Sequence, residues 1–214
     1  MSSSPVWLIL AAGAATAGLA VSVQMLAAWR LARTPRTRRV LARRATYAAG
    51  GLAAGVLAAD VVWRVGAHLD ALAVGWLVVI TPALVGLDVL ERRLPDPLTL
   101  GSYALVAVVV AVEAVTGGTV RPVMDAAIGL LLVGGFYLAV ALAAPRGGLG
   151  AGDVKLAGLV GMVTGSLRPS DAIIATIIGL AIAGATAIAY FRNTRIQIAM
   201  GPAILSGAIV AAFI

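Results

Sequence analysis

Two aspartates, Asp88 and Asp153, stand apart among the nine acidic residues of the chain. Asp88 follows a long, mostly apolar run that begins at Trp76, and Asp153 directly follows a glycine-rich stretch that includes Gly150 and Gly152. A carboxylate beside membrane-like sequence is costly, and it indicates function by default. Two carboxylates that meet in a partly dry site share one proton, and such a pair suits general acid–base hydrolysis.

The two aspartates can be assigned different roles in such a reaction. Asp153 would open a helix, and the helix dipole favours its charged form. We therefore assign Asp153 as the base that takes a proton from water, and Asp88 as the acid that donates to the carbonyl oxygen. In the alternative, each acid pairs separately with an arginine, Asp88 with Arg92 at i,i+4 spacing. Position and spacing alone do not decide between these two interpretations.

The composition shows what kind of element must carry these residues. Of the 214 residues, 61% are hydrophobic and 12% are charged, and cysteine is absent. Soluble domains are about half apolar and a quarter charged, so a water-soluble domain is excluded, and disorder is excluded by the high hydrophobicity. Without cysteine there is no disulfide scaffold, no cysteine nucleophile and no thiolate metal site.

Eight apolar segments approach the roughly 20 residues that a membrane-spanning helix needs. They are residues 6–29, 45–63, 71–90, 98–116, 123–143, 154–167, 171–190 and 197–214. If the N-terminus lies outside, thirteen of the sixteen lysines and arginines fall in inside loops and three in outside loops, as the positive-inside rule requires. We predict an all-α polytopic membrane protein with eight spans, with Asp88 and Asp153 both near the inner face.

The sixth segment, residues 154–167, is short for a span. If it merely dipped into the membrane, the charges would divide twelve to four, so the arginines favour eight spans without proving this one. Gly161 and Gly165 form a GxxxG pair that permits close helix packing, although such pairs are frequent by chance in a chain with 25 glycines.

The other acids have simpler explanations at helix ends, or lie close to Asp88. Near predicted outer helix ends, acids cap the helix, pair with an arginine or reach water. These acids are Asp60, Asp70, Glu113, Asp125 and Asp171. Glu91 and Asp96 lie on the inner side with the two aspartates first named.

Two motifs resemble those of a known family. The stretch GAGDVKL, from Gly150 to Leu156, resembles the GxGDxKL motif of type IV prepilin peptidases, which are intramembrane aspartic proteases. The stretch DVLERRLPDPLT, which begins at Asp88, resembles the family's first motif, an aspartate followed by Ile or Leu and then Pro-Asp-x-Leu-Thr. Gly201 and Pro202 resemble the Gly-Pro that starts the family's last helix. The resemblance covers about residues 70–214.

The resemblance implies that Asp88 and Asp153 are the catalytic aspartates of an endopeptidase. Its substrates would be prepilin-like precursors, which have a short basic leader, a glycine before the cut and an apolar helix after it. Cleavage would take place at the cytoplasmic face of the cell membrane. Gly150 and Gly152 would let the backbone approach the substrate closely. No cofactor and no metal ion is expected.

Lys155, Asp96 and Pro95 would also support the site. Lys155 would orient the glycine-rich loop, meet a substrate carboxylate or anchor the inner interface. Asp96 lies between Pro95 and Pro97, where it would cap the next helix or support the site.

The chain departs from two groups of related enzymes. Many bacterial relatives carry a cytoplasmic domain with cysteine pairs and a linked N-methyltransferase activity. Here the corresponding place is the short basic loop 30–44, so methylation is not expected. Presenilin-like proteases carry their first aspartate in a Tyr-Asp pair, whereas this chain has Leu87 before Asp88. We divide the chain into an N-terminal two-helix membrane segment, residues 1–69, and a catalytic membrane domain, residues 70–214.

The main alternative is a non-catalytic subunit or a transporter component of a pilus or secretion machine. Transporters commonly show repeats and broken helices at the membrane midplane. In this chain the acids lie at one edge, and no repeat is apparent. A nucleic-acid partner is not expected, because loop 30–44 has no aromatic residue to stack bases. Its seven arginines indicate a topology signal in contact with anionic lipid. The expected partners are a prepilin-like substrate and the bilayer, with pilus or secretion machinery as a further candidate.

Overall fold

The computed structural model describes residues 6–65, 69–143, 149–191 and 200–212, and these residues form helices and short connections without any strand. The described helices are α1 (Val6–Leu26), α2 (Pro35–Leu41), α3 (Arg44–Val65), α4 (Leu69–Glu91), α5 (Asp96–Gly117), α6 (Arg121–Ala143), α7 (Ala151–Leu167), α8 (Pro169–Phe191) and α9 (Gly201–Ala211). A π-helical turn, Ala27–Leu31, extends α1. The prediction of an all-α protein is confirmed.

Within the described ranges, five helices are long and apolar enough to cross a membrane. They are residues Val6–Leu31, Ala71–Glu91, Asp96–Gly117, Arg121–Ala143 and Pro169–Thr186. The chain is therefore a multi-pass membrane protein. The other three predicted segments overlap α3, the 17-residue α7 and the 11-residue α9. As described, α7 and α9 are shorter than the five spans, and α3 is as long but less apolar.

The chain divides into two compact units, Met1–Pro95 and Asp96–Ile214. In the first unit, α1 and α3 pack closely because both carry a glycine at the contact. A Cβ atom on Gly13 would lie 2.9 Å from the carbonyl oxygen of Gly55, and one on Gly55 would lie 2.9 Å from that of Gly13. The fully buried Ile80 and Leu84 of α4 belong to the core of this unit.

In the second unit, α7 is largely buried, and residues 156–161 and 163–166 are all buried. It packs against α6 along a seam of glycines. A Cβ atom on Gly161 would collide with the backbone of Gly129, and one on Gly165 would lie 2.7 Å from the carbonyl oxygen of Asp125. Gly161 and Gly165 thus form a close-packed seam with α6. The sequence pattern by itself did not distinguish this pair from a chance occurrence. Gly179 of α8 and Gly207 of α9 make a second close contact.

Candidate active site

Asp88 lies in the last turn of α4 and is 5% exposed. The residue before it, Leu87, is fully buried, which fixes the face of the helix that enters the core. The helix ends because Arg92 has a φ of 51°, in the left-handed region that terminates helices. The amide of Arg92 donates to the carbonyl oxygen of Asp88 at 2.8 Å. The end of α4 is thus a closed helix terminus, with Asp88 one turn inside it.

Asp153 is the third residue of α7 and is partly exposed. Its Oδ2 accepts a hydrogen bond from the amide of Gly150 at 3.2 Å. A Cβ atom at position 150 would lie 3.1 Å from the same oxygen, so the glycine leaves room for the carboxylate. The first turn of a helix offers unpaired amides and the positive end of the dipole, which stabilise an anion.

Lys155, on the same turn, is held by two residues of α5. Its Nζ lies 2.6 Å from Oδ1 of Asp96, the first residue of α5. Its carbonyl oxygen accepts a hydrogen bond from the hydroxyl of Tyr103 at 2.6 Å. The hydroxyl fits there because position 158 is glycine, where a Cβ atom would collide with it. The start of α7 is therefore fixed to α5 by a side chain and by the backbone.

Sequence reasoning missed Tyr103, and it named Glu91 without giving it a role. Tyr103 follows Asp96 by seven residues, two helical turns, so both lie on one face of α5. That spacing was the available signal. Glu91 follows Asp88 by three residues and contacts the basic loop, as described below.

The predicted site residues divide between the two units. Gly150, Gly152, Asp153 and Lys155 lie together at the start of α7, and Asp96 joins them through Lys155. Asp88 and the buried Pro95 belong to the first unit. Each unit therefore contains one of the two aspartates, next to a helix terminus.

The remaining acids are largely explained by neighbouring arginines. Asp125 pairs with Arg121 at 3.5 Å, and Asp171 pairs with Arg168 at 3.6 Å. Asp171 is the third residue of α8 and not its N-cap, because α8 begins at Pro169. The side chain of Asp70 lies outside the described residues. Within the described part of the chain, no three histidine, cysteine or acidic side chains are grouped to hold a metal ion.

A comparison with protein families finds one match. The family described as the type IV leader peptidase family matches residues 71–190, more than half of the chain. The matched stretch contains Asp88 and Asp153 and the sequence motifs around them. No curated protein and no solved structure matches the chain.

Proposed function

The chain belongs to the type IV leader peptidase family, and on this basis we propose that it is a membrane-embedded aspartic endopeptidase. Family membership makes it a peptidase, a hydrolase of peptide bonds. The finer proposal is that it removes the leader from type IV prepilin-like precursors at the cytoplasmic face of the cell membrane, using Asp88 and Asp153. The observation that carries this proposal is that both aspartates lie in the matched stretch, each in the terminal turn of a helix.

The environments of the two carboxylates support different roles. Asp153 lies at the positive end of α7 and accepts a hydrogen bond from the amide of Gly150, and both features favour a carboxylate anion that acts as base. Asp88 is nearly buried in the last turn of α4, and we assign it the role of the acid.

The reaction then proceeds in two steps. Asp153 takes a proton from water while the water oxygen bonds to the scissile carbonyl carbon, and Asp88 protonates the carbonyl oxygen. In the tetrahedral intermediate, Asp88 takes back one hydroxyl proton as the carbonyl re-forms. The carbon–nitrogen bond breaks, and Asp153 gives its proton to the leaving amine. Both aspartates return to their starting states, and one water is consumed.

We also propose the eight-span layout with the N-terminus outside. Each of the eight predicted segments overlaps a helix of the structure, and the arginine distribution favours this orientation. A single cysteine introduced at Arg168 tests the layout, because the chain has no cysteine of its own. Labelling by an impermeant reagent from the outside is expected, and labelling only from the inside would overturn the layout.

The proposed activity is cleavage without methylation. The processed precursors would be used by a pilus or secretion machine. The chain has no cysteine, and residues 30–44 hold a short helix in place of a cysteine-bearing domain. The purified protein should cleave a prepilin-like precursor and transfer no methyl group to its new N-terminus from a labelled methyl donor.

The decisive experiment is processing of a precursor that carries a basic leader, a glycine and an apolar helix. The precursor is co-expressed with the wild-type chain, Asp88→Asn or Asp153→Asn, and its size is followed on a gel. Asp125→Asn is the matched control, because Asp125 is paired with an arginine at a helix start. Loss of processing in both aspartate variants and retention in the control supports the proposal. Processing that persists in either aspartate variant rejects the two-aspartate mechanism and favours a non-catalytic subunit.

A further inference from the structure

The basic loop 30–44 contains a short, well-capped helix. Thr34 is the N-cap of α2, and its hydroxyl oxygen accepts a hydrogen bond from the amide of Thr37 at 3.1 Å. Pro35 occupies the first helical position, where its fixed φ and missing amide favour a helix start. Thr37 and Leu41 are buried, so one side of α2 faces the interior of the first unit. A segment that served only as a charge signal would need none of this order.

The C-terminal end of α2 packs against α4 at Gly86. Leu41 is 1% exposed, and a Cβ atom on Gly86 would collide with its Cδ2 methyl group. The leucine side chain therefore occupies the space that a side chain at position 86 would need. This contact lies two residues before Asp88.

The N-terminal end of α2 is held by Glu91, the last residue of α4. Glu91 Oε1 accepts hydrogen bonds from the amides of Arg33 at 2.8 Å and Thr34 at 3.0 Å. Its Oε2 accepts from Nε of Arg93 at 3.0 Å, and Arg93 also donates to the carbonyl oxygen of Leu31. The Glu91 side chain is 4% exposed. A nearly buried carboxylate with three donors is a strong connection, since hydrogen bonds to a charged acceptor are about twice as strong as neutral ones.

We infer that α2 acts as a splint, meaning that it supports the last turn of α4 and so positions Asp88. Its two contacts with α4, at Gly86 and at Glu91, bracket Asp88 in sequence, so the helix turn that carries the aspartate is supported on both sides. Glu91 is thus a positioning residue and acts through the backbone of α4. This inference rests on the proposed catalytic role of Asp88, and it gives the basic loop a part in the active site.

The physical reason for such a splint is that helix ends fray. The last turn of a helix lacks partners for its carbonyl groups and opens more readily than the middle. A catalytic side chain needs its position fixed to within about 0.5 Å. A misplacement of about 1 Å can cost on the order of 100-fold in rate. Asp88 lies in the last turn of α4. Its carbonyl oxygen accepts from the Arg92 amide, and support from α2 on both sides would hold the turn in place as a whole, with a direct effect on rate.

The first test measures kinetics on purified, folded protein in detergent with a precursor substrate. Glu91→Ala is expected to lower kcat by roughly tenfold or more, with KM within about threefold, because the chemistry is misaligned while the substrate surface is retained. Glu91→Gln keeps an oxygen for the Arg33 and Thr34 amides and should recover part of the loss. An unchanged kcat in Glu91→Ala overturns the inference.

A second pair of variants tests the other contact, and it applies even if Glu91→Ala fails to fold. Gly86→Leu should lower kcat because its side chain displaces Leu41, and adding Leu41→Ala should restore part of the activity. Gly75→Leu is the matched control on the same helix, since a Cβ atom there meets nothing within 4 Å. Equal effects at positions 75 and 86, or no rescue by Leu41→Ala, would contradict the splint.

A third measurement does not depend on activity. Glu91 binds the amides of Arg33 and Thr34, so it protects the bond between them from trypsin applied to the cytoplasmic face. Faster cleavage after Arg33 in Glu91→Ala supports the splint, and an unchanged rate counts against it. If Asp88→Asn still processes precursor, the proposed function fails whatever trypsin shows. If Asp88→Asn is inactive while Glu91→Ala keeps its kcat, only the splint fails.

Discussion

The Nζ atom of Lys155 lies 2.6 Å from Oδ1 of Asp96, and this ion pair joins the first turn of α7 to the first residue of α5. Both residues lie in the stretches that resemble the family's motifs, and Asp153 precedes the lysine by two residues. The lysine and aspartate side chains are 36% and 59% exposed, so the pair contributes about 1 kcal/mol or less to folding. The ion pair therefore serves mainly to position the start of α7 against α5. This favours the orienting role of Lys155 over a contact with a substrate carboxylate.

The first prediction concerns this ion pair. Lys155→Met and Asp96→Asn should each slow precursor processing, while the free energy of unfolding changes by about 1 kcal/mol or less because the pair is exposed. The exchanged variant, Asp96→Lys with Lys155→Asp, should recover part of the activity. Processing rates and detergent unfolding of the same preparations check both statements. If Lys155 binds substrate instead, the exchanged variant will be no better than Lys155→Met.

The second prediction concerns Tyr103, which donates from its hydroxyl to the carbonyl oxygen of Lys155 at 2.6 Å. Tyr103→Phe removes one hydrogen bond and should lower the free energy of unfolding by about 1 kcal/mol. Gly158→Ala should be more harmful, because the new methyl group collides with the hydroxyl. Combining the two changes should relieve the collision, so the double variant should be more stable than Gly158→Ala alone. Unfolding followed by circular dichroism gives all three values.

Much of the architecture could be predicted from the sequence, because the apolar runs and the arginines between them are local signals. The contacts of Tyr103 and Glu91 could not be predicted in this way. Their partners lie 52 to 58 residues away, and no local pattern specifies which turns of two helices meet.

The glycine seam is the opposite case, because its signal was present in the sequence but indistinguishable from chance. Gly161 and Gly165 form one of many small-residue pairs in a glycine-rich chain. Only the position of α6 shows that Gly161 faces the backbone of Gly129.

The third prediction tests this seam. Gly161→Ala should lower the free energy of unfolding by about 1–3 kcal/mol, because the added methyl group forces the helices apart. Gly135→Ala on α6 is the matched control, since a Cβ atom there meets nothing within 4 Å. The control should leave stability unchanged or raise it slightly, as alanine favours helix over glycine. Unfolding in mixed detergent micelles measures both, and equal values would mean that the seam is not close-packed.

The fourth prediction separates two uses of the glycine at position 150. The backbone φ of Gly150 is −77°, which alanine adopts without strain, so Gly150→Ala changes only the space beside the site. A Cβ atom would lie 3.1 Å from Asp153 Oδ2, closer than most such contacts, and should displace the carboxylate. We therefore expect a lower kcat at nearly constant KM. If the glycine serves mainly to admit the substrate backbone, KM should rise instead while kcat is retained. The division between kcat and KM thus decides which of the two uses the glycine has.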